Sequence, residues 1–259
     1  MDFSPLQNFS YCVIGDPIGH SVSPAMQNAA FAALGMGNPY GRLRVPETEI
    51  EAFFDYARSH LRGVNVTVPL KEAAAKHADR LALSARRAKS VNTLVISGGR
   101  IEGHSTDGYG ICKALENTLS FVAAGRTLLF LGAGGAARAV SFALAEAGAE
   151  KIFFLNRSPE RAVALAEDLK NNFPALICEC AAFSDLRSRD FFFGAADLVL
   201  QSTSLGWRAD DPPVTEIPET GAAFFDFVYR DTIFLREAQR RGLPFADGRD
   251  MLLYQGAES

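Results

Sequence analysis

The sequence predicts an α/β fold in two domains, and three patterns support this prediction. Short apolar runs of strand length alternate with helical segments along the chain of 259 residues, which is typical of α/β proteins. After Asp107 the alternation becomes a regular βαβαβ series, which predicts a parallel, doubly wound sheet with right-handed crossovers. The glycine-rich segment 132–136 lies directly between a predicted strand and its helix. We expect an N-terminal α/β domain over residues 1–107, with 236–259 packing back on it, and a doubly wound domain over 108–235.

The elements of the first half follow from runs of β-branched residues and from helix start signals. Ser23 is expected to be the N-cap of the first helix and Pro24 its first residue. Strands are predicted over 11–15, 42–45 and 64–68, helices over 24–34 and 46–59, and a hairpin over 91–96 and 100–103.

The elements of the second half are compact apolar strands that alternate with helices. A helix over 106–117 is expected to join the two domains. Strands are predicted over 127–131, 151–155, near Leu176, over 197–200 and over 223–227, with helices from the glycine-rich segment to about Gly148 and over 158–170.

The composition argues against several classes of function. Charged residues make up 22% of the chain and the formal net charge is −4, without a basic run that would suit nucleic acid or an anionic membrane. We predict neither a signal peptide nor a membrane span. The closest cysteine pair, Cys178 and Cys180, has no Cys/His cluster beside it, so we expect no metal. We expect a cytoplasmic monomer or homodimer that acts on a small molecule.

The segment 63–71, which reads G-V-N-V-T-V-P-L-K, combines a predicted strand with polar side chains. Asn65 and Thr67 share strand parity, so both side chains are expected on one face. Pro69 suits the first turn of a helix, which would bring Lys71 near that face. An amide, a hydroxyl and an ammonium group would then converge where they could hold a polyhydroxylated acid or a carbonyl, and the lysine could move a proton.

The glycine-rich segment has the position of a pyrophosphate-binding turn. Gly132, Gly134 and Gly135, with Ala133 and Ala136 between and after them, allow backbone N–H groups to approach phosphates at a helix N-terminus. Glycines also occur in such turns for packing alone, but here the βαβ context favours a dinucleotide.

The end of the next strand indicates which dinucleotide. An NAD site would place Asp or Glu there, whereas this chain has N-R-S-P-E-R over 156–161. Arg157 and Arg161, flanked by Asn156 and Ser158, suit a dianionic 2′-phosphate, although arginines in such positions are often simply solvated. We therefore predict NADP(H) as the cofactor.

Four further segments carry polar groups at helix or strand starts. Ser21 and Ser23 place two hydroxyls at a helix N-terminus, which suits a carboxylate, although N-capping alone would explain Ser23. Asn92 begins a strand but could equally be a turn residue. Asp107 lies at a helix start, where N-caps are common. Gln255 lies in a helix and could face solvent or a cleft.

Together these segments resemble, in order, the motifs of the shikimate dehydrogenase family. They cover the chain from Val13 to Gln255 and read V-I-G-D-P-I-G-H-S-V-S-P, G-V-N-V-T-V-P-L-K, V-N-T-L, S-T-D-G, G-A-G-G-A-A-R, N-R-S-P-E-R, S-T-S-L-G, D-F-V-Y and G-R-D-M-L-L-Y-Q. The resemblance implies a substrate domain, a Rossmann-like NADP domain, and reversible NADP-dependent reduction of 3-dehydroshikimate to shikimate.

The resemblance also implies roles for individual residues. Lys71 and Asp107 would form the catalytic pair. The substrate carboxylate would be bound by Ser21 and Ser23, with Tyr229 nearby, and the ring hydroxyls by Asn65, Thr67, Asn92, Asp107 and Gln255. Thr203 and Gly248 are expected to join the glycine-rich turn and Arg157 at the cofactor.

Two alternatives remain open on sequence alone. Quinate or aminoshikimate dehydrogenase would use the same scaffold, because those substrates differ from shikimate in few contacts. A relative that binds shikimate without turnover is the other alternative, against which the presence of both Lys71 and Asp107 argues. Gln201, where the family usually has Asn, and Trp207, where a smaller apolar residue is usual, mark the cofactor side as one place where this chain departs from the family.

Overall fold

The computed structural model describes residues 2–37, 39–208 and 211–259. The chain divides into two compact units, Met1–Thr106 with Gly256–Ser259, and Asp107–Gln255. Each unit contains its own six-stranded sheet. Residues 236–255, expected with the first domain, group with the second unit: the helix Ile233–Arg240 packs on the last two strands of the second sheet, and Phe245–Ala246 is itself a strand of that sheet.

The first sheet is mixed, with the strand order β2-β1-β3-β5-β6-β4. The strand β1 runs parallel to both β2 and β3, whereas β5 runs antiparallel to β3 and to β6. The elements of this unit are β1 (Tyr11–Gly15), α1 (Ser23–Ala33), β2 (Tyr40–Arg44), α2 (Ile50–His60), β3 (Gly63–Val66), α3 (Lys71–His77), β4 (Arg80–Leu81), α4 (Leu83–Ala88), β5 (Thr93–Ser97) and β6 (Arg100–His104).

The core of the first unit lies between this sheet and α2. Phe53 and Phe54 on α2 are buried against sheet residues such as Ile14, Val64 and Leu94. Burial of these apolar side chains is the main stabilising contribution, and it holds the strand ends in a defined arrangement.

The second sheet is parallel throughout, in the order β12-β11-β10-β7-β8-β9. Reversed, this is the doubly wound Rossmann order, so the predicted fold class is confirmed. The elements are α5 (Asp107–Leu119), β7 (Thr127–Leu131), α6 (Gly135–Glu146), β8 (Lys151–Asn156), α7 (Pro159–Asn172), β9 (Ile177–Ala182), α8 (Leu186–Ala195), β10 (Leu198–Gln201), β11 (Ala223–Asp226), α9 (Ile233–Arg240), β12 (Phe245–Ala246) and α10 (Arg249–Glu258).

The central strands of this sheet are apolar on both faces, as a sheet covered by helices requires. In β7 the residues Leu128 to Leu131 are fully buried, and in β8 Phe153 and Phe154 are buried on opposite faces. Such continuous apolar runs explain why these strands were recognisable in the sequence.

Three local predictions were wrong. The strand β3 ends at Val66, so Thr67 lies just beyond it, where its N–H donates to the carbonyl oxygen of Ile14. Pro69 lies before α3 rather than in its first turn, and Lys71 is the first residue of that helix. In α1 the N-cap is Val22, not Ser23, because the chain turns helical one residue earlier.

Candidate active site

Most of the predicted substrate residues lie at one edge of the first sheet. The carboxyl ends of the parallel strands β1 and β3 meet at this edge, and because β5 is antiparallel to β3 it begins there. The carboxyl end of β6 reaches the same edge and leads to Thr106. Open α/β sheets bind ligands outside the carboxyl ends of their parallel strands. The sheet topology therefore gathers Asn65, Thr67 and Asn92 from separate parts of the sequence.

Asn65 is held in one orientation by its neighbours. The Tyr40 hydroxyl donates to Asn65 Oδ1 at 2.7 Å, and Asn65 Nδ2 donates to the carbonyl oxygen of Asn92 at 3.2 Å and to Thr93 Oγ1 at 3.1 Å. Burial raises the pKa of Tyr40 well above its usual value, so this hydroxyl keeps its proton. The amide oxygen is therefore paired with a donor, and the amide hydrogens point toward acceptors.

Asn92 is tied to Thr106 by a reciprocal pair of bonds. Asn92 Nδ2 donates to Thr106 Oγ1 at 2.8 Å, and the N–H of Thr106 donates to Asn92 Oδ1 at 2.9 Å. Thr93 Oγ1 also donates to Asn92 Oδ1, at 3.1 Å. All three residues are buried, where such fully paired groups are held more rigidly than at the surface. Asn92 thus belongs to a hydrogen-bonded network and is not merely a turn residue.

Ser259 contacts the same network. Its hydroxyl lies 3.1 Å from Asn65 Nδ2, 3.0 Å from Thr93 Oγ1 and 3.3 Å from Thr106 Oγ1. The carbonyl oxygen of Gly256 accepts from Gln27 Nε2 at 2.8 Å, which fixes the preceding segment to α1. A hydroxyl-bearing group therefore fits among these polar side chains.

Lys71 begins α3 beside this network. Lys71 is only 8% exposed, and its carbonyl oxygen accepts from the N–H of Val91, the residue before Asn92. Thr67 lies four residues earlier, in the segment between β3 and α3, and its carbonyl oxygen accepts from the N–H of Leu70. A buried cationic side chain beside amides and hydroxyls can stabilise negative charge on a carbonyl oxygen.

Ser21 and Ser23 lie in the loop after β1 and at the start of α1. Ser21 Oγ accepts from the N–H of Ser23 at 3.3 Å, so both serines belong to one turn at the helix N-terminus. The partial positive charge of that terminus favours a carboxylate. Both side chains remain partly exposed.

The predicted cofactor residues lie at the carboxyl edge of the second sheet. Gly132 follows β7 with a φ of +107°, a conformation that favours glycine. Gly134 is the N-cap of α6, and the space where its Cβ would lie is empty to 4 Å. Backbone can therefore approach a ligand closely at this helix N-terminus, so the turn fits a pyrophosphate.

Two arginines at the end of β8 supply a place for a further anion. Arg157 and Arg161 are exposed, and neither forms an ion pair with any residue that the structure describes. Asn156 Nδ2 donates to the carbonyl oxygen of Ser158 at 2.8 Å, which shapes the turn before α7. Two exposed guanidinium groups at this helix start suit a dianionic group such as the 2′-phosphate of NADP.

Thr203 and Tyr229 follow the neighbouring strands β10 and β11. The rings of Trp207 and Tyr229 form a T-shaped pair with centroids 4.7 Å apart, and the guanidinium of Arg230 lies 5.7 Å from the centroid of Trp207. Burial raises the pKa of Tyr229, with Arg230 opposing the shift, so the phenol stays protonated as a donor near neutral pH. Gly248 follows β12, and a Cβ there would collide with the carbonyl oxygen of Phe227.

Asp107 and Gln255 both belong to the second unit. Asp107 is the buried first residue of α5, and Gly110, one turn later, packs against Gln255 on α10. A Cβ at Gly110 would come within 2.8 Å of Gln255 Cβ, so these helices approach closely. The first turn of α5, which begins at Asp107, therefore lies close to Gln255.

Four functional candidates were missed in the sequence. Tyr40, Thr93 and Thr106 orient the predicted substrate residues Asn65 and Asn92. The fourth, Gln201, had been noted only as a departure from the family. Thr93 directly follows Asn92, and Thr106 directly precedes Asp107, so their positions beside predicted site residues were an available signal. Tyr40 lies in an ordinary strand and gave no such signal.

The described part of the chain shows neither a membrane-crossing helix nor a metal-binding cluster. No helix among the described residues is long and apolar enough to span a bilayer. Within the same residues, no group of three or more His, Cys, Asp or Glu side chains is placed to hold a metal ion.

Comparison with known proteins matches both halves of the chain to related families. Residues 13–94 match the shikimate dehydrogenase substrate binding domain, and residues 115–204 match shikimate / quinate 5-dehydrogenase. A shikimate dehydrogenase (NADP(+)) from Symbiobacterium thermophilum is 42% identical over 253 residues, which cover 95% of this chain and 85% of that protein.

Solved structures show the same similarity. The shikimate 5-dehydrogenase from Thermus thermophilus, in complex with NADP(H) and shikimate, is 37% identical with a TM-score of 0.81, over 96% of this chain and 91% of that one. Quinate dehydrogenase from Corynebacterium glutamicum, in complex with NAD, is 27% identical with a TM-score of 0.84, over 97% and 92% of the two chains.

Proposed function

Because this chain belongs to the shikimate dehydrogenase family, we propose that it catalyses the reversible, NADP-dependent reduction of 3-dehydroshikimate to shikimate. The observation that carries the proposal is the 42% identity to an NADP-dependent shikimate dehydrogenase over 95% of the chain. The polar network around Asn65 and Asn92 supports it, because a ring with several hydroxyls needs several oriented amides and hydroxyls.

We propose that Lys71 is the proton donor to the carbonyl oxygen and that Asp107 is its partner in catalysis. Reduction of a ketone develops alkoxide character on oxygen, which an ammonium group stabilises and then neutralises by proton transfer. A carboxylate partner would orient that ammonium group by electrostatic attraction. When bound, NADPH supplies the hydride.

The remaining side chains bind and orient the substrate in this proposal. Ser21 and Ser23 hold the carboxylate at the N-terminus of α1, with Tyr229 as a further donor. Asn65, Thr67, Asn92 and Gln255 hold the ring hydroxyls. Oriented hydrogen bonds of this kind fix the reacting carbon, which lowers the entropic part of the barrier.

Quinate is the second candidate substrate. The matched family covers shikimate and quinate enzymes, and a quinate dehydrogenase is among the similar structures. The arginines at 157 and 161 favour NADP over NAD, which agrees better with the shikimate enzymes that carry NADP in their names.

The test is the rate of NADPH formation or NADH formation with shikimate and with quinate, each with NADP+ and with NAD+. We expect the highest kcat/KM for shikimate with NADP+. A higher kcat/KM for quinate would assign the second candidate. Binding of shikimate by calorimetry without turnover in any of the four combinations would contradict an enzymatic function.

A further inference from the structure

The side chain of Gln201 closes a tight turn at the end of β10. Gln201 Oε1 accepts from the N–H of Thr203 at 2.6 Å and from Thr203 Oγ1 at 2.8 Å, while Gln201 Nε2 donates to the carbonyl oxygen of Leu205 at 2.8 Å. The N–H of Leu205 donates to Thr203 Oγ1 at 3.2 Å. Gln201 is only 2% exposed, so these bonds are made away from water, where an unpaired amide would be costly.

This turn packs directly against the first glycine of the cofactor turn. A Cβ at Gly132 would lie 3.0 Å from Ser202 Oγ, 3.0 Å from Thr203 Cγ2 and 3.2 Å from the Thr203 nitrogen. The N–H and Oγ of Ser202 both donate to the carbonyl oxygen of Leu131, at 2.9 Å. Residues 201–205 therefore pack so closely on the glycine-rich turn that a side chain at Gly132 would have no room.

The position of this contact in the sheet is where a dinucleotide binds. The strands β7 and β10 are neighbours, and the strand order reverses between them. Doubly wound sheets bind nucleotides at that reversal, outside the carboxyl ends of the two strands. The backbone of Gln201 also accepts from the N–H of Phe227, which joins the turn to the segment after β11.

We propose that Gln201 is a positioning residue for NADP: its buried amide holds Thr203 against Gly132 and so shapes the nicotinamide half of the cofactor site. This inference deepens the proposed function and rests on it only for the identity of the cofactor. An apolar side chain of the same size would fill the space but would leave the N–H of Thr203 and the carbonyl of Leu205 without their partner, so the turn would open.

The test compares Gln201→Met with the parent protein by isothermal titration calorimetry. Methionine keeps the volume and flexibility of glutamine and removes the amide. We expect NADP+ to bind about tenfold more weakly, as the loss of a buried hydrogen-bond network predicts. We expect adenosine 2′,5′-bisphosphate, which lacks the nicotinamide half and reaches only the arginine side, to bind with unchanged affinity. Gln201→Asn keeps an amide on a shorter side chain, so its NADP+ affinity should lie between those of Gln201→Met and the parent.

Thr220→Val is the matched control. Thr220 Oγ1 also ties a loop of the second unit, because it donates to the carbonyl oxygen of Phe193 at 2.7 Å and accepts from the N–H of Ala222 at 3.1 Å. It makes no contact with the cofactor turn in these bonds. We expect both Thr220→Val and Gln201→Met to lower the Tm, because each removes a hydrogen-bonded loop contact, but only Gln201→Met to weaken NADP+ binding.

Three results would overturn the proposal. They are unchanged NADP+ affinity in the folded Gln201→Met protein, an equal loss for adenosine 2′,5′-bisphosphate, and an equal loss of NADP+ affinity in Thr220→Val. Fluorescence of Trp207, the only tryptophan of the chain and two residues past Leu205, reports whether the turn has changed before any ligand is added. These binding measurements do not depend on turnover, so failure of the parent to oxidise shikimate would refute the proposed function alone.

Discussion

At the scale of single residues, the direction of the hydrogen bonds around Asn65 and Asn92 is the informative feature. Tyr40 donates to Asn65, Asn65 to Thr93, Thr93 to Asn92, and Asn92 to Thr106. Because every donor in this series points the same way, the orientation of both amides is set. Groups that bind a substrate must be held in this way if they are to bind without first reorganising.

Lys71→Ala is expected to lower kcat much more than it raises the KM for shikimate. The ammonium group acts mostly in the transition state, and general acid catalysis of this kind contributes about 10² to 10⁴ in rate. Steady-state kinetics with shikimate and NADP+ measures both constants. Lys76→Ala, an exposed lysine on the same helix, is the control and should behave like the parent. A change confined to KM would assign Lys71 to binding alone.

Arg157→Ala is expected to weaken NADP+ and to leave NAD+ nearly unaffected. The guanidinium meets the 2′-phosphate that only NADP carries, and a charge-assisted hydrogen bond of this type contributes about 1.5 to 3 kcal/mol, or roughly ten- to hundredfold in affinity. The measurement is the ratio of the KM for NADP+ to the KM for NAD+. Arg187→Ala removes an exposed arginine from α8 and should leave the ratio unchanged. Equal losses for both cofactors would contradict the 2′-phosphate assignment.

At the scale of elements, the joint between β11 and α9 depends on one buried carboxyl group. Asp226 is 0% exposed, and its oxygens accept from the N–H of Val228 at 2.9 Å and from Thr232 Oγ1 at 2.7 Å. Thr232 in turn caps α9 by accepting from the N–H of Leu235. Burial raises the pKa of Asp226 to about 6, with Asp247 contributing and the two hydrogen bonds opposing the shift.

This raised pKa predicts how stability depends on pH. The unfolded chain loses the Asp226 proton near the ordinary pKa of 3.8, whereas the folded protein keeps it up to about 6. Between these values the folded state binds more protons, so this contribution to the free energy of unfolding falls as the pH rises and stays low above 6. The pKa difference corresponds to about 2 to 3 kcal/mol.

Asp226→Asn tests this contribution. The amide keeps an acceptor for the N–H of Val228 and does not ionise. As the pH rises from about 4 to about 7, we therefore expect the Tm of Asp226→Asn to fall less than the Tm of the parent. Chemical or thermal unfolding over that range provides the measurement. Parallel curves for the two proteins would show that Asp226 does not titrate in this window.

The bounds of helices and strands were predicted correctly where local sequence signals were strong, and incorrectly where tertiary packing sets the bounds. The strands β1 and β7 begin and end where predicted, because β1 is followed by Asp16 and Pro17 and β7 by the glycine-rich turn. The start of α3 was misplaced because Pro69 is compatible with a first helical turn but here lies in the preceding loop. The helices α4, α8 and α9 were not predicted: α4 is short, and aromatic residues on α8 obscure the helical period.

At the scale of the whole molecule, the residues proposed for substrate and for cofactor belong mainly to different compact units. Asn65 and its partners lie in Met1–Thr106, while the glycine-rich turn and Arg157 lie in Asp107–Gln255. Each unit has its own sheet and its own buried core. Substitution of Asn65 should therefore leave NADP+ affinity unchanged, and substitution of Arg157 should leave shikimate affinity unchanged.

The double variant Asn65→Ala with Arg157→Ala is expected to show additive effects. Independent sites usually add to within about 0.5 kcal/mol in free energy, so the losses in kcat/KM should multiply. Calorimetry on each single variant should show weaker shikimate only for Asn65→Ala and weaker NADP+ only for Arg157→Ala. A coupling free energy above about 1 kcal/mol would indicate that the two sites depend on each other.

The α/β class and the doubly wound second domain could be predicted from the sequence alone, and the binding chemistry of the polar segments stays a prediction from it. Those properties follow from hydrophobic period, glycine position and residue type, which are local. Only the tertiary structure showed that Tyr40 orients Asn65, that Thr106 pairs with Asn92, and that Gln201 holds a turn against Gly132. These contacts join residues far apart in the chain, because strand order and register, not local sequence, decide which side chains meet.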